Sequence, residues 1–152
     1  MKIRTVRQQN GEAGNALVEF TLTMVVILIL LFGIVDIGRA LFAYDWVSGA
    51  ARVGARFAMV RGATCTGGVP GGCPAISSQV TTYIDSTAIG LNQNDITVNS
   101  YCRVGETGFN LLPCAPGTSV YVQVKYSFSF ITPFISQYNW LMTSSSQMVV
   151  VR

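Results

Sequence analysis

Along the chain, apolar and polar positions fall into distinct regimes. Residues 1–14, MKIRTVRQQNGEAG, are short, polar and basic, with nothing to bury. From Asn15 the pattern turns apolar, and residues 22–35, LTMVVILILLFGIV, carry eleven Leu, Ile, Val and Phe side chains. At the usual 0.3 to 0.6 kcal/mol each, they favour membrane insertion by about 3 to 6 kcal/mol. The apolar stretch from Ala16 to Ile37 exceeds the roughly 7 to 15 residues of a secretory h-region, and no small-x-small cleavage site follows it, so an anchor is expected rather than a removed signal peptide. Residues 36–62, DIGRALFAYDWVSGAARVGARFAMVRG, contain no proline, and Tyr44, Ser48, Ala51, Ala55 and Ala58 recur at heptad-like spacing. One helix from Ala16 to Val60 is predicted, about 65 to 70 Å long. Small residues in its upper half suit packing on a head domain or close approach of neighbouring helices. Gly33, Gly38, Gly49 and Gly54 lower helix propensity, and a bend or melted turn is expected there.

The remainder reads as a small α+β head. Residues 61–75, RGATCTGGVPGGCPA, form a Gly/Pro loop. Pro74 is suited to open a second helix, with Ile76, Val80, Tyr83 and Ile84 on one face and Gly90 capping its end. Residues 94–103 alternate weakly. Thr118, Val120, Val122, Val124, Tyr126, Phe128 and Phe130 alternate strictly and predict a strand with one buried face. Pro133 ends it, an aromatic connection (Phe134, Tyr138, Trp140) follows, and residues 147–152, QMVVVR, form a third strand. The predicted fold class is therefore α+β and pilin-like in outline: a long N-terminal transmembrane helix, then one helix on a three-stranded antiparallel sheet. The expected divisions are a leader at 1–14, a transmembrane half of the long helix at 15–37, its extramembrane half at 38–62 and a head at 63–152.

Composition sharpens this division. Half of the 152 residues are hydrophobic and 11% are charged, which is too apolar for an ordinary soluble domain and is accounted for largely by the first sixty residues. Lys2, Arg4 and Arg7 supply three of the ten basic residues behind a net charge of +3, so no nucleic-acid footprint is visible. Cys65, Cys73, Cys102 and Cys114 all follow the apolar run and none forms a C-x-x-C, which favours disulfides over zinc. Disulfides place the head in an oxidising compartment, a periplasm or cell exterior, and so orient a span whose flanking charges do not decide its direction. Of three possible connectivities, Cys65 with Cys73 and Cys102 with Cys114 close the shortest loops.

Chemistry of the catalytic kind finds little support. There is no histidine, which removes Ser-His and Cys-His nucleophiles and most zinc sites. Asp85, Asp95 and Glu106 are the head's carboxylates and follow no spacing rule, while TGGVPGG lacks the lysine and strand of a phosphate loop. Neither an enzyme nor a cofactor or metal is expected. The acid that calls for an explanation is Glu19, in the mouth of the span, where a charge costs about 2.5 to 3.5 kcal/mol if carried to the bilayer centre.

A basic leader, Gly14, then NALVEF and a long apolar helix resemble the type IV prepilin processing pattern. The resemblance implies a prepilin peptidase cutting between Gly14 and Asn15, with Glu19 fifth and Phe20 sixth in the mature chain. GNALVEF, followed by LLFGIVDIGRALFAYDWVSGAARVGARFA, is similar to the TadE-like proteins of tight-adherence (Tad, Flp) pilus systems, minor pilins or pseudopilins of the type IVc branch. The likeness extends to the tail, VQVKYSFSFITPF, and is strongest from Gly14 to Arg61. Two features depart from the family: the apolar segment lacks a proline, and the two-disulfide head is an elaboration. Family likeness implies a single-pass protein of a bacterial inner membrane that helps to initiate, anchor or tip an adhesive or secretory pilus. Implied partners are the prepilin peptidase, other pilin or pseudopilin subunits, the inner-membrane assembly platform and the lipid bilayer, and no nucleic acid. Glu19 is implied to meet the N-terminal ammonium of a neighbouring subunit. Two alternatives remain open at this stage: a permanently anchored accessory subunit of the same machinery, and a single-span periplasmic binding module.

Overall fold

A computed structural model describes residues 10–67, 72–104, 108–132 and 137–151, with the side chains of 10–13 and 104 outside the description. Most of the leader and Glu106 thus lie outside the described residues. One helix, α1 (Asn10–Met59), runs without interruption for 50 residues, about 75 Å. It starts within the segment expected to be only leader. Gly33, Gly38 and Gly49 do not break it, and a Cβ at any of the three would meet nothing within 4 Å.

α1 changes surroundings at Asp36. Below it the side chains are exposed; above it a stripe formed by Ala40, Ala43, Val47, Ala50, Ala51, Gly54, Ala55, Phe57 and Ala58 is buried. The spacing of three and four residues keeps this stripe on one face of the helix. It is offset from the predicted one, since Tyr44 is 63% exposed. The small residues are consumed by the protein's own head, not held out toward neighbouring helices.

Four strands form the sheet, one more than expected: β1 (Ile96–Val104), β2 (Gly108–Asn110), β3 (Ser119–Ser129) and β4 (Asn139–Val149). All neighbours are antiparallel, in the order β2-β1-β3-β4. β3 buries Val120, Val122, Val124, Tyr126 and Phe128 on one face, as its alternation predicts. Burial of each such side chain stabilises by about 1.5 to 3 kcal/mol. α1 lies over β3 and β4, and α2 (Ser77–Ser86) lies on β1. The opposite face of the sheet carries Tyr101, stacked on Tyr121 at 4.8 Å and edge-on to Phe109 at 4.7 Å.

Three boundaries differ from the pattern. β4 begins at Asn139 rather than near Gln147, and Trp140 belongs to the strand instead of a connection. The interior of β4, TSSSQ, hides its alternation because Ser144 and Ser146 stand where larger apolar residues would signal a strand. They pair across from Val124 and Val122 on the face beneath α1, and small side chains there leave room for the helix. α2 starts at Ser77, not Pro74. The Ala75 N–H donates to Arg61 O at 2.8 Å, which ties the preceding residues to the end of α1. The free N–H of Ile76 is instead met by Gln79 Oε1 at 3.2 Å. Nor does Gly90 cap α2, which ends at Ser86; Gly90 turns the chain four residues later at φ +77°.

Disulfides and backbone bonds close the end of the head remote from the apolar span. Cys65 pairs with Cys73 at a Cα separation of 5.6 Å, and Cys102 with Cys114 at 5.3 Å. Ala63 N–H donates to Cys114 O at 2.8 Å and Val151 N–H to Met59 O at 3.4 Å, so both staples converge on the last turn of α1. Arg61 lies over the Phe57 ring at 3.8 Å and donates to Phe57 O at 3.2 Å, satisfying a carbonyl of that turn.

Gly54 marks the tightest crossing. A Cβ there would lie 2.6 Å from Ile84 Cδ1 and 3.1 Å from Val122 Cγ1, where α1, α2 and β3 meet. Gly49 has nothing within 4 Å. Gly49→Ala is therefore expected to stabilise the protein in detergent by about 0.5 to 1 kcal/mol through helix propensity. Gly54→Leu should destabilise it by more than about 2 kcal/mol through overpacking. Denaturant melts of the two variants against wild type check both; equal midpoints would remove the distinction.

Candidate functional site

The residues expected to act lie on α1. Gly14 and Asn15 are exposed within it, and Glu19 and Phe20 follow on its exposed lower half, Phe20 at 62% exposure. The segment below Asp36 is long and apolar enough to cross a membrane. Its two hydroxyls do not oppose that. Thr21 Oγ1 donates to Val18 O at 2.8 Å and Thr23 Oγ1 to Glu19 O at 2.9 Å, so each is satisfied by the helix itself. Glu19 is the exception: its carboxylate has no hydrogen-bond or ion-pair partner among the described residues.

At the other end of the apolar segment stands Asp36, 3% exposed. Arg39 stands at the i,i+3 position from it on α1, and Arg39 Nη1 donates to Asp36 Oδ1 at 3.0 Å. What the sequence did not disclose is the other half of the arrangement. Ile131 N–H donates to both carboxylate oxygens at 3.1 Å, Thr132 N–H to Oδ2 at 2.9 Å, and the Thr132 hydroxyl donates to the same oxygen. Asp36 thereby receives the backbone where the chain leaves β3, a position whose N–H groups no strand partner serves. Arg39 also lies over the Phe128 ring at 5.2 Å. The carboxylate bolts the helix to the head at the level where apolar exposure ends. The only signal for it was an acid closing an apolar run, which names the acceptor's need but not its partners in the head.

Beside this latch, α1 and the start of β4 enclose an open apolar groove of about 580 Å³, lined by Gly33, Ile37, Leu41, Tyr44, Trp140 and Met142 among others. Among the described residues no group of three or more Cys, Asp or Glu side chains comes together in a way that could hold a metal. Asp85 sits half-buried at the end of α2, where desolvation raises its pKa; Asp95 accepts from Asn92 Nδ2 at 2.8 Å.

If Asp36 latches the head, Asp36→Asn should lower head stability by about 3 kcal/mol, because the amide turns a donor toward buried N–H groups that then lose their acceptor. Thr132→Val removes one hydroxyl and should cost about 1 kcal/mol. Thermal melts in detergent, with hydrogen exchange at the Ile131 and Thr132 amides, read the effect. Unchanged protection of those amides in Asp36→Asn would contradict the latch.

No curated protein and no solved structure matches the chain. A family model does, over a narrower stretch than the likeness in the sequence, which runs on into the tail. Residues 14–56, which carry the apolar segment, Glu19, Asp36 and most of the stripe beneath the head, match the family described as TadE-like protein, and over that helix the chain is similar to it.

Proposed function

We propose that the protein is a minor pilin or pseudopilin of a Tad-type pilus. In this reading a prepilin peptidase removes residues 1–14, the helix from Asn15 crosses the bacterial inner membrane, and the disulfide-bonded head stands in the periplasm or outside the cell. The mature subunit helps to initiate, anchor or tip the pilus, in contact with other pilin subunits and the membrane assembly platform.

One observation carries this reading. The small-residue stripe of α1 is occupied by the head, whereas the lower half presents apolar side chains on every side, with Glu19 at their start. A helical segment with no partner among the described residues needs lipid, other helices, or each in turn. Glu19 supplies the selectivity. Cutting after Gly14 creates an ammonium at Asn15, and a neighbour's ammonium paired with Glu19 relieves a carboxylate that is costly in hydrocarbon. Before assembly Glu19 stays at the headgroup level.

Intact-mass measurement in cells with an active prepilin peptidase should give a chain beginning at Asn15. Glu19→Gln should be cleaved and inserted normally yet be lost from sheared pili, as read by mass spectrometry. Incorporation of that variant at the wild-type level would contradict the pairing; absence of wild-type protein from sheared pili would favour a permanently anchored accessory subunit. Peptide mapping without reduction should return Cys65–Cys73 and Cys102–Cys114 peptides; four alkylatable thiols would contradict an exterior head.

A further inference from the structure

The head's lower rim is apolar on the side of β4. Ile131, Tyr138, Trp140 and Leu141 are each more than half exposed there, and none of residues 126–151 is charged. Ile131 is bound through its N–H to Asp36, so this rim lies at the level of that residue on α1. The apolar surface does not stop at the latch. Ile37, Leu41 and Phe42 remain exposed on the helix directly above it, and the groove between Leu41 and Trp140 is almost wholly apolar.

Depth decides what covers this surface. Asp36 lies about 26 Å along the helix from Glu19 and about 32 Å from Asn15. A hydrocarbon core is about 30 Å thick, with a headgroup layer of several ångströms on each side. If Glu19 is held at one face, the other face falls near Arg39, with Asp36 about 4 to 5 Å inside it. The rim and the groove then lie in the outer headgroup layer and the first carbons below it, where Trp and Tyr are favoured because an apolar ring and a polar tip are both served. Arg39, 39% exposed, would stand at that face, within reach of the headgroups. The uncharged rim is continuous with the span below it, which a water-facing surface at that level would not require.

We infer that the head does not stand clear of the membrane but seats this rim in the bilayer interface, with the groove between α1 and β4 filled by lipid hydrocarbon. The seat fixes the depth and rotation of the subunit before it is taken into any assembly. The inference rests on the reading of α1 as a membrane span.

The test uses full-length protein in vesicles of phosphatidylcholine and phosphatidylglycerol. The difference between wild type and Trp140→Phe isolates the Trp140 emission without disturbing Trp46, whose indole donates to Thr87 O within the head. Trp140 should emit to the blue and lose about a third or more of its intensity in lipid brominated near the glycerol end of the acyl chain, and less near the methyl end. Leu28→Trp in the Trp140→Phe background reports the span separately and should be quenched most by the methyl-end bromine. Quenching of that reporter without quenching at Trp140 would overturn the seat and keep the span. Quenching of neither would overturn both. Shielding of Trp140 from lipid and from aqueous iodide that grows with the protein-to-lipid ratio would show a second copy in place of lipid, and would overturn the proposal.

Discussion

The arrangement of this protein depends on one buried carboxylate. Asp36 sits where a helix with apolar side chains exposed on all sides becomes a helix with one covered face. Its charge is made tolerable by two backbone N–H groups, a hydroxyl and a guanidinium, three of the four donors coming from residues 131 and 132. A charge buried in this way is worth little as an ion pair and much as a constraint, because any movement of the head along α1 removes three of its four donors and leaves only Arg39. The rim, the groove and the start of β4 inherit their position from it.

Above the latch, side-chain size does the rest. Alanine and glycine along α1 let the sheet approach closely, and the serines of β4 leave matching room beneath. Gly54 is the extreme case, where a single methyl group would enter the packing of Ile84 and Val122. Small residues on a helix are often taken as a surface for other helices. Here they are used within the subunit, and the part of α1 left for other molecules is the apolar lower half with Glu19 at its mouth. That division of one helix between an internal stripe and an external surface agrees with a subunit that folds alone and is later handed on.

Much of this was legible from local pattern. The length of α1, its apolar lower half and the strict alternation of β3 follow from periodicities that a chain cannot lose without losing the element. The second helix was recognisable from Val80 and Ile84, but its start was not. Pro74 has the right backbone for a first helical residue, yet Ala75 is held by Arg61 from across the loop, and the helix waits until Ile76 can use Gln79 as its cap. Likewise the serine run of β4 carries no apolar signal because its face is closed by a small-residue helix rather than by bulk.

The sequence by itself determined the course of α1, the body of α2 and the strand β3, and which of them seek an apolar environment, since these follow from neighbours three, four or two positions apart. It also marked Glu19 as an acid in need of a partner. Only the tertiary structure decided which face of α1 meets the head, that β2 extends the sheet, and that Asp36 is answered by Ile131 and Thr132, some ninety-five residues away. A hydrogen bond across such a distance leaves no periodic trace, because the chain between its ends is free to vary so long as the fold returns the two groups to the same place.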